Sequence, residues 1–129
     1  MARYAWHTAF VLALLTTATQ ADDSKFPILG GEPLQAGRTV WLGTCKNCHA
    51  TGFASAPPVT KLSAWRMRLA KERSVLHEHA IEGFYGEDYA HMPPRGGNES
   101  LTDAEVMSAV DYMVALVKHL HNDELQKEK

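Results

Sequence analysis

The chain has 129 residues, of which 45% are hydrophobic and 22% are charged, and its formal net charge is −2. That length allows one small domain, and a near-neutral charge argues against a nucleic-acid-binding protein. Two cysteines are too few for a disulfide-rich scaffold, so they form one bridge or take part in chemistry. Seven histidines in so short a chain leave metal or cofactor binding open.

Residues 1–21 have the pattern of a secretory signal peptide. Arg3 is the only charge in this segment, an apolar stretch runs from Ala9 to Leu15, and small and hydroxyl residues lead to Ala21. The alternative is a membrane anchor, but the stretch is well short of the roughly 20 apolar residues that span a bilayer. We expect cleavage after Ala21, export to the bacterial periplasm, and no stable membrane anchor in the mature protein.

The rest of the chain is predicted to be helical, with loops rich in glycine and proline. Residues 22–32 form a polar lead-in, and Pro33 begins the first helix. Ser63 and Ser74 are predicted to cap two further helices, and Gly83 ends the second of them. Because no alternating strand pattern and no hairpin signal appears, the predicted fold class is all-α, with about four to five short helices.

The last helix has the clearest signal. Thr102 and Glu105 have the spacing of a capping box, in which each side chain binds a backbone N–H of the other residue. Apolar residues then recur at three- and four-residue steps, which predicts one buried face. These residues are Val106, Ala109, Val110, Met113, Val117 and Leu120. The domain is predicted over residues 33–120, and the charged residues 121–129 are predicted to form a solvated, frayed tail.

The segment Cys45-Lys46-Asn47-Cys48-His49 matches the C-x-x-C-H motif of covalent haem attachment. In this chemistry the two thiols add to the haem vinyl groups as thioethers, and the adjacent histidine binds the iron. Three alternatives are a thioredoxin-like dithiol, a structural zinc site and a plain disulfide. The first belongs beside a βαβ pattern, the second requires a further cluster of ligands, and the third leaves the histidine unexplained.

Three segments carry a resemblance to a known family. They are Gly37-x-x-x-Trp41-x-x-x-Cys45-x-x-Cys48-His49, Met92-Pro93-Pro94-Arg95-Gly96-Gly97 and Ala109-Val110-Asp111-Tyr112-Met113. Together they resemble the class I c-type cytochromes, and in particular the small bacterial cytochrome c5 branch, over residues 34–118. The resemblance implies the cytochrome c fold, wrapped around one covalently bound haem c. Members of that branch often carry a second cysteine pair after the methionine loop, and this chain has none there.

The resemblance implies that Met92 is the second axial ligand of the haem iron. Met92 lies in a loop of glycine and proline, and the two prolines that follow it restrict the backbone. Met67 and Met113 lie at helical positions and are predicted to pack in the core. If Met92 only lines the pocket, His91 or His79 is the alternative ligand.

Two residues are expected to support the haem, and the first of them is implied by the same resemblance. The carbonyl oxygen of Pro57 is expected to accept a hydrogen bond from His49 and to fix its tautomer, with Pro58 as the alternative. Trp65 is expected to cover a haem edge, where its N–H reaches a propionate, or else to pack in the core. Gly37 is expected to let the last helix cross closely.

The predicted function is electron transfer by a periplasmic monohaem cytochrome that is not an enzyme. With His49 and Met92 as axial ligands, the iron has no open position, which favours moving one electron between redox protein partners. Alternatives are the haem subunit of a dehydrogenase complex, for example one that oxidises sulfur compounds, and a haem enzyme or ligand sensor with a labile sixth position. A basic cluster is interpreted as a solvated helix face, or as a group that compensates haem propionates or docks an acidic partner. It consists of Arg66, Arg68, Lys71 and Arg73.

Overall fold

The computed structural model describes residues 23–86 and 89–128, so the predicted signal peptide lies outside the described residues. The helices are α1 (Glu32–Val40), α2 (Lys46–His49), α3 (Leu62–Leu69), α4 (Arg73–Glu82), α5 (Asp103–Leu120) and α6 (Asn122–Lys127). A π-helical turn, Trp41–Cys45, joins α1 to α2, so the first helix continues through the cysteine motif. None of the helices in the described part is long and apolar enough to cross a membrane.

A short hairpin is the one departure from the predicted all-α fold. Strands β1 (Phe84–Tyr85) and β2 (His91–Met92) pair antiparallel, with Phe84 opposite Met92. Each strand has only two residues, which is too short for an alternating pattern to be visible in the sequence. The predicted helical fold class is confirmed.

The core is built where α1 crosses α5. A Cβ atom on Gly37 would lie 2.0 Å from the backbone oxygen of Ser108, so only glycine allows this approach. Trp41 and Tyr112 are fully buried beside the crossing, and their ring centroids are 5.9 Å apart. The close crossing predicted at Gly37 is therefore present.

The segment before α1 packs on the core. The Phe26 ring meets the Trp41 ring edge-on, with centroids 4.3 Å apart. Arg38 Nε donates to the Phe26 carbonyl at 2.6 Å, and Lys46 Nζ lies 2.8 Å from a carboxylate oxygen of Asp23. These contacts close one end of the core over the buried tryptophan.

Helix α5 begins as predicted but buries a wider face than the predicted stripe. Both hydrogen bonds of the capping box between Thr102 and Glu105 are present. Leu120, at the end of the stripe, is 41% exposed. Three buried residues lie outside the stripe, because α3 and α4 also pack on α5 beside α1. They are Tyr112, Val114 and Leu116.

Two predicted helix caps are each wrong by two residues. Helix α3 begins at Leu62 and α4 begins at Arg73, and neither has a side-chain cap. Ser63 and Ser74 therefore lie inside the first turns. The predicted end of α4 is confirmed, because Gly83 follows the helix with φ at +84°, a conformation that favours glycine.

The chain after α5 is not the frayed tail that the charge pattern predicts. Residues 122–127 form α6, and Leu125 packs against the core. His121 Nε2 lies 3.0 Å from the Val59 carbonyl oxygen, and Arg66 forms an ion pair with Glu128. One apolar residue and these polar contacts with distant residues fold the segment onto the domain, although its charged side chains remain exposed.

Candidate haem site

The cysteine motif lies where the π-helical turn passes into α2. Cys45 ends the turn, and both Cys45 and Cys48 are half-buried free thiols. A spacing of three residues places them on the same face of the continuous helix. His49 ends α2 and is only 8% exposed. The helix thus presents two thiols and one buried imidazole together.

The orientation of His49 is fixed by the loop that follows α2. His49 Nδ1 lies 3.0 Å from the Pro57 carbonyl oxygen, and a carbonyl only accepts, so Nδ1 carries the proton and Nε2 keeps its lone pair. Burial lowers the pKa of His49, while the bond to Pro57 raises it and the charge of Arg68 lowers it. The ring is thus held neutral, in the tautomer that offers Nε2 to a metal.

The two adjacent prolines serve two different rings. Pro57 accepts from His49, whereas the Pro58 carbonyl oxygen accepts from Trp65 Nε1 at 3.0 Å. The geometry therefore favours Pro57 as the partner of His49. The Trp65 N–H therefore donates to a backbone carbonyl rather than to the expected propionate, and Trp65 packs in the core, which is the alternative expectation. The buried Trp65 ring lies 6.5 Å from the His49 ring, measured between centroids.

The donor set fits covalent haem better than the alternatives. Burial is the main cause that raises the pKa of Cys45 to about 11, whereas a thioredoxin-like cysteine requires a lowered pKa. Neither cysteine is in a disulfide. In the ranges 23–86 and 89–128, no group of three or more His, Cys, Asp and Glu side chains is placed to hold a metal. Two thiols and a neutral histidine are the groups that haem c requires.

The hairpin holds the backbone of Met92. Met92 pairs with Phe84 across the two strands. A Cβ atom on Gly83 would lie 2.9 Å from the Met92 carbonyl oxygen and 3.0 Å from the Pro94 nitrogen. The methionine segment is therefore packed directly against the end of α4, and Gly83 is required for this approach.

The loop after Met92 packs against the helix that carries the cysteines. A Cβ atom on Gly96 would lie 3.0 Å from Thr44 Cγ2, and Asn98 Nδ2 donates to Thr44 Oγ1 at 3.4 Å. Because Thr44 directly precedes Cys45, these contacts connect the methionine loop to the cysteine motif.

Arg95 stabilises the loop that follows Met92. Its guanidinium donates to the Leu101 carbonyl at 2.9 Å and to an Asp103 carboxylate oxygen at 2.6 Å. Arg95 itself has φ at +54°, a conformation that costs energy for a residue other than glycine. A polar clamp thus restrains the turn that follows Met92.

The two alternative histidine ligands are engaged in stacked pairs. His91 stacks on Tyr85 with centroids 4.3 Å apart, and its exposed side chain alternates with that of Met92 along the strand. His79 stacks on Phe84 at 4.1 Å. Met92 is half-buried, whereas His91 is exposed, and His79 is half-buried but stacked on Phe84.

The other two methionines that the sequence assigns to packing have different environments. Met113 is 5% exposed and belongs to the core, as predicted. Met67 is 76% exposed, so the prediction that it packs in the core is wrong. The helical stripe of α3 is too short to show from sequence which of its faces is buried.

The basic cluster separates into two halves. Arg66 pairs with Glu128, and Arg73 lies 2.8 Å from Asp111, so these two charges are neutralised. Among the described residues, the ion pairs include neither of the other two cations. These are Arg68, which donates to its own helix, and Lys71, whose Nζ lies 5.8 Å above the Phe84 ring.

Two residues that the sequence analysis did not single out complete the surroundings of His49. The Val59 N–H donates to the His49 carbonyl oxygen at 2.8 Å, and the Val59 carbonyl accepts from His121. In the sequence, His121 is marked only by its position just after the apolar stripe of the last helix. That position does not reveal its partner Val59, which lies 62 residues away.

Comparisons with known proteins indicate which class of protein this is. A family model described as cytochrome c oxidase, cbb3-type, subunit III matches residues 32–113. Cytochrome c-555 of Chlorobaculum thiosulfatiphilum is 41% identical over 83 residues, which cover 64% of this chain and 95% of that protein. Cytochrome c5 of Azotobacter vinelandii is 30% identical over 86 residues, which cover 67% of this chain and all of that protein.

A solved structure gives the same result. The crystal structure of an electron transfer complex of nitrite reductase with cytochrome c contains a chain that matches with a TM-score of 0.55 and 34% identity. The match covers 64% of this chain and 94% of that chain.

The helical fold, the single C-x-x-C-H motif and the buried histidine define a small protein that carries one haem. Within that class, the chain belongs to the cytochrome c family, as a monohaem class I cytochrome. This family binds haem c covalently, and its members are electron carriers rather than enzymes.

Proposed function

We propose that this protein is an exported electron carrier with one haem c, bound through Cys45 and Cys48 and ligated by His49 and Met92. The observation that carries the proposal is the hydrogen bond from His49 Nδ1 to the Pro57 carbonyl. It leaves Nε2 as the free nitrogen of a buried ring beside two free thiols. When bound, haem supplies an iron that changes oxidation state by one electron.

The residues on the two sides of the haem have opposite effects on the reduction potential. The hydrogen bond to Pro57 makes the His49 ring a stronger donor, which favours the oxidised state. A methionine thioether favours the reduced state and raises the potential. If His49 and Met92 both hold the iron, no position would remain open for a ligand or substrate, so the proposal favours an electron carrier over a ligand sensor or an enzyme.

Export follows from the pattern of residues 1–21. Cleavage after Ala21 leaves a chain that begins just before the first described turn, Asp23–Lys25. We propose that the mature protein works in the periplasm without a membrane anchor. Residues 33–120 form the proposed cytochrome domain, and the family match, which begins at residue 32, supports the start of this domain.

Redox proteins are the proposed partners, as in the solved complex with nitrite reductase. Lys61 and Arg68 line a hollow of about 410 Å³ beside Pro57, and none of the described residues that line it carries a carboxylate. We propose that this charge attracts the acidic surface of a partner. Lys61→Gln is expected to lower the association rate and its dependence on salt, whereas Lys118→Gln, also an exposed lysine, is expected to change neither. Equal rates for both variants would contradict the docking surface.

Mass spectrometry of the exported protein tests covalent attachment. The expected mass is that of the mature chain plus one haem, and Cys48→Ser is expected to retain only one thioether in the pyridine haemochrome spectrum. A mass equal to the bare mature chain would contradict the proposal. Rapid binding of carbon monoxide to the reduced protein would favour the sensor or enzyme alternative, and slow binding supports six-coordinate iron.

The haem subunit of a larger dehydrogenase complex is the second candidate. The solved neighbour in a complex with an enzyme favours it, since that structure pairs a small chain with an oxidoreductase. Purification of the native protein distinguishes the two candidates. Stable association with a flavin or molybdenum subunit would support the complex, and a free small cytochrome would support the carrier.

A further inference from the structure

The loop over residues 57–59 is held by three aromatic ring nitrogens, one at each successive carbonyl. Pro57 accepts from His49, Pro58 accepts from Trp65, and Val59 accepts from His121 Nε2 at 3.0 Å. Because carbonyl oxygens only accept, His121 Nε2 is the donor. The first of these bonds orients the proposed iron ligand, so the other two fix the loop that provides its acceptor.

Val59 connects His121 directly to the backbone of the iron ligand. Its N–H donates to the His49 carbonyl at 2.8 Å, while its own carbonyl binds His121. Val59 is fully buried, so neither bond is readily replaced by water. A displacement of the Val59 peptide would move both the end of α2 and the adjacent Pro57 carbonyl.

His121 is held in place by α6. Leu125 of α6 packs on the core, and Glu128 pairs with Arg66 of α3. The family match ends at residue 113, so this C-terminal support lies outside the part of the chain that the family model describes.

We propose that His121, held by α6, is a positioning residue for the haem ligand His49. His121 holds the 57–59 loop in place, and the position of this loop determines the strength of the hydrogen bond from His49 Nδ1 to Pro57. The inference rests on the proposed role of His49 as an iron ligand. Since that hydrogen bond increases the donor strength of the ring, α6 would contribute to the reduction potential without contacting the haem.

The test compares four forms of the haem-loaded protein: the wild type, His121→Leu, His121→Gln and His119→Leu. Leucine removes the donor, whereas the glutamine amide retains an N–H near the position of Nε2. His119 is an exposed histidine two residues away, so His119→Leu is the matched control. Two quantities are measured: solvent exchange of the His49 Nδ1 proton by NMR in the reduced protein, and the reduction potential.

His121→Leu is expected to make the His49 proton exchange about fivefold faster, as loss of one hydrogen bond predicts. The reduction potential is expected to rise, because a weaker bond to Pro57 makes His49 a poorer donor. His121→Gln is expected to lie close to the wild type, and His119→Leu is expected to match it.

Unchanged exchange and potential in His121→Leu would overturn the proposal. So would a loss of thermal stability in His121→Leu without a change at His49, because that result shows a merely structural role. Failure of His121→Gln to restore either quantity would also count against it. If the wild type lacks the spectral signature of methionine ligation, the proposed ligand set is wrong. That outcome is distinguishable from a failure of the His121 proposal, because the exchange of the His49 proton does not depend on Met92.

Discussion

The two sides of the proposed haem site are held by different means. His49 is the last residue of a continuous helix, and its ring and backbone are bound to a buried loop. Met92 lies in a two-residue strand, followed by a turn in which Arg95, Gly96 and Gly97 all have positive φ. One proposed ligand is thus fixed by helix and core, and the other by a short hairpin and the turn that follows it.

This difference indicates how the site responds to stress. Segments with few buried contacts open at lower free energy than the core, so the methionine side is expected to open first. The histidine side is expected to persist until the whole domain unfolds, because the thioethers and the core hold the same helix. Substitutions in the shared core are therefore expected to have larger effects than substitutions on the methionine side.

The largest effect is expected from Gly37→Ala, which disturbs the core shared by both sides. The added Cβ would lie 2.0 Å from the Ser108 oxygen, so α1 and α5 must separate. We expect a loss of about 3 kcal/mol or more in the free energy of unfolding, measured by denaturant titration. Gly43→Ala is the control, since a Cβ there meets nothing within 4 Å. Similar losses in both variants would contradict the close crossing.

Gly83→Ala is expected to displace the methionine side alone. The new Cβ would lie 2.9 Å from the Met92 oxygen, at a residue with φ at +84°. We expect a cost of about 1–3 kcal/mol and loss of the methionine spectral signature at lower denaturant than in the wild type. At Gly86, a Cβ makes only ordinary contacts, the nearest at 3.6 Å, so Gly86→Ala is expected to be mild. Equal behaviour of the two variants would contradict the packing of Met92 against Gly83.

Arg95→Gln is expected to loosen the turn after Met92. It removes the bonds to Leu101 and Asp103, which are worth about 1 kcal/mol at a partly exposed site. The expected result is methionine dissociation at lower temperature, with little change in the temperature at which the helices unfold. Arg73→Gln, which removes an ion pair from α4, serves as the control. If Arg95→Gln lowers the temperatures of methionine dissociation and of helix unfolding by the same amount, Arg95 is not a local clamp on the turn.

The smallest effect is an acid sensitivity of the segment that follows the methionine loop. Hydrogen bonds from the Thr102 backbone and hydroxyl lower the pKa of Glu105. The folded state therefore binds this proton less tightly than the unfolded state. The stability that the ionised Glu105 contributes is complete at pH values above the ordinary pKa of a glutamate. It is lost as the pH falls through the pKa of Glu105 in the folded state. Glu105→Gln is expected to remove this part of the pH dependence of unfolding, and an unchanged pH profile would contradict it.

The features predicted well from the sequence depend on residues close together in the chain. The C-x-x-C-H motif and the capping box at Thr102 are local patterns whose geometry follows from helical spacing. Gly37 is recognised by its spacing to Trp41 and the cysteines, and this spacing is part of the pattern that carries the family resemblance. Helix starts at Ser63 and Ser74 were mispredicted because neither helix uses a side-chain cap.

The features that the sequence did not reveal join distant residues. Arg73 meets Asp111 across 38 positions, and His121 meets Val59 across 62 positions. No periodicity or composition encodes such pairs, since they depend on how the helices pack. For this reason the basic cluster appeared uniform in sequence, and the C-terminal segment appeared to be a loose tail.

The central claim is that the two sides meet at one iron through His49 and Met92. The most direct test is the absorption spectrum of the oxidised protein with Met92→Ala, compared with Met67→Ala. Met67 is 76% exposed on α3, so its variant removes a methionine without touching the site. Met92→Ala is expected to abolish the sulfur-to-iron charge-transfer band and to lower the reduction potential, while Met67→Ala is expected to retain both. A band that persists in Met92→Ala would contradict the assignment.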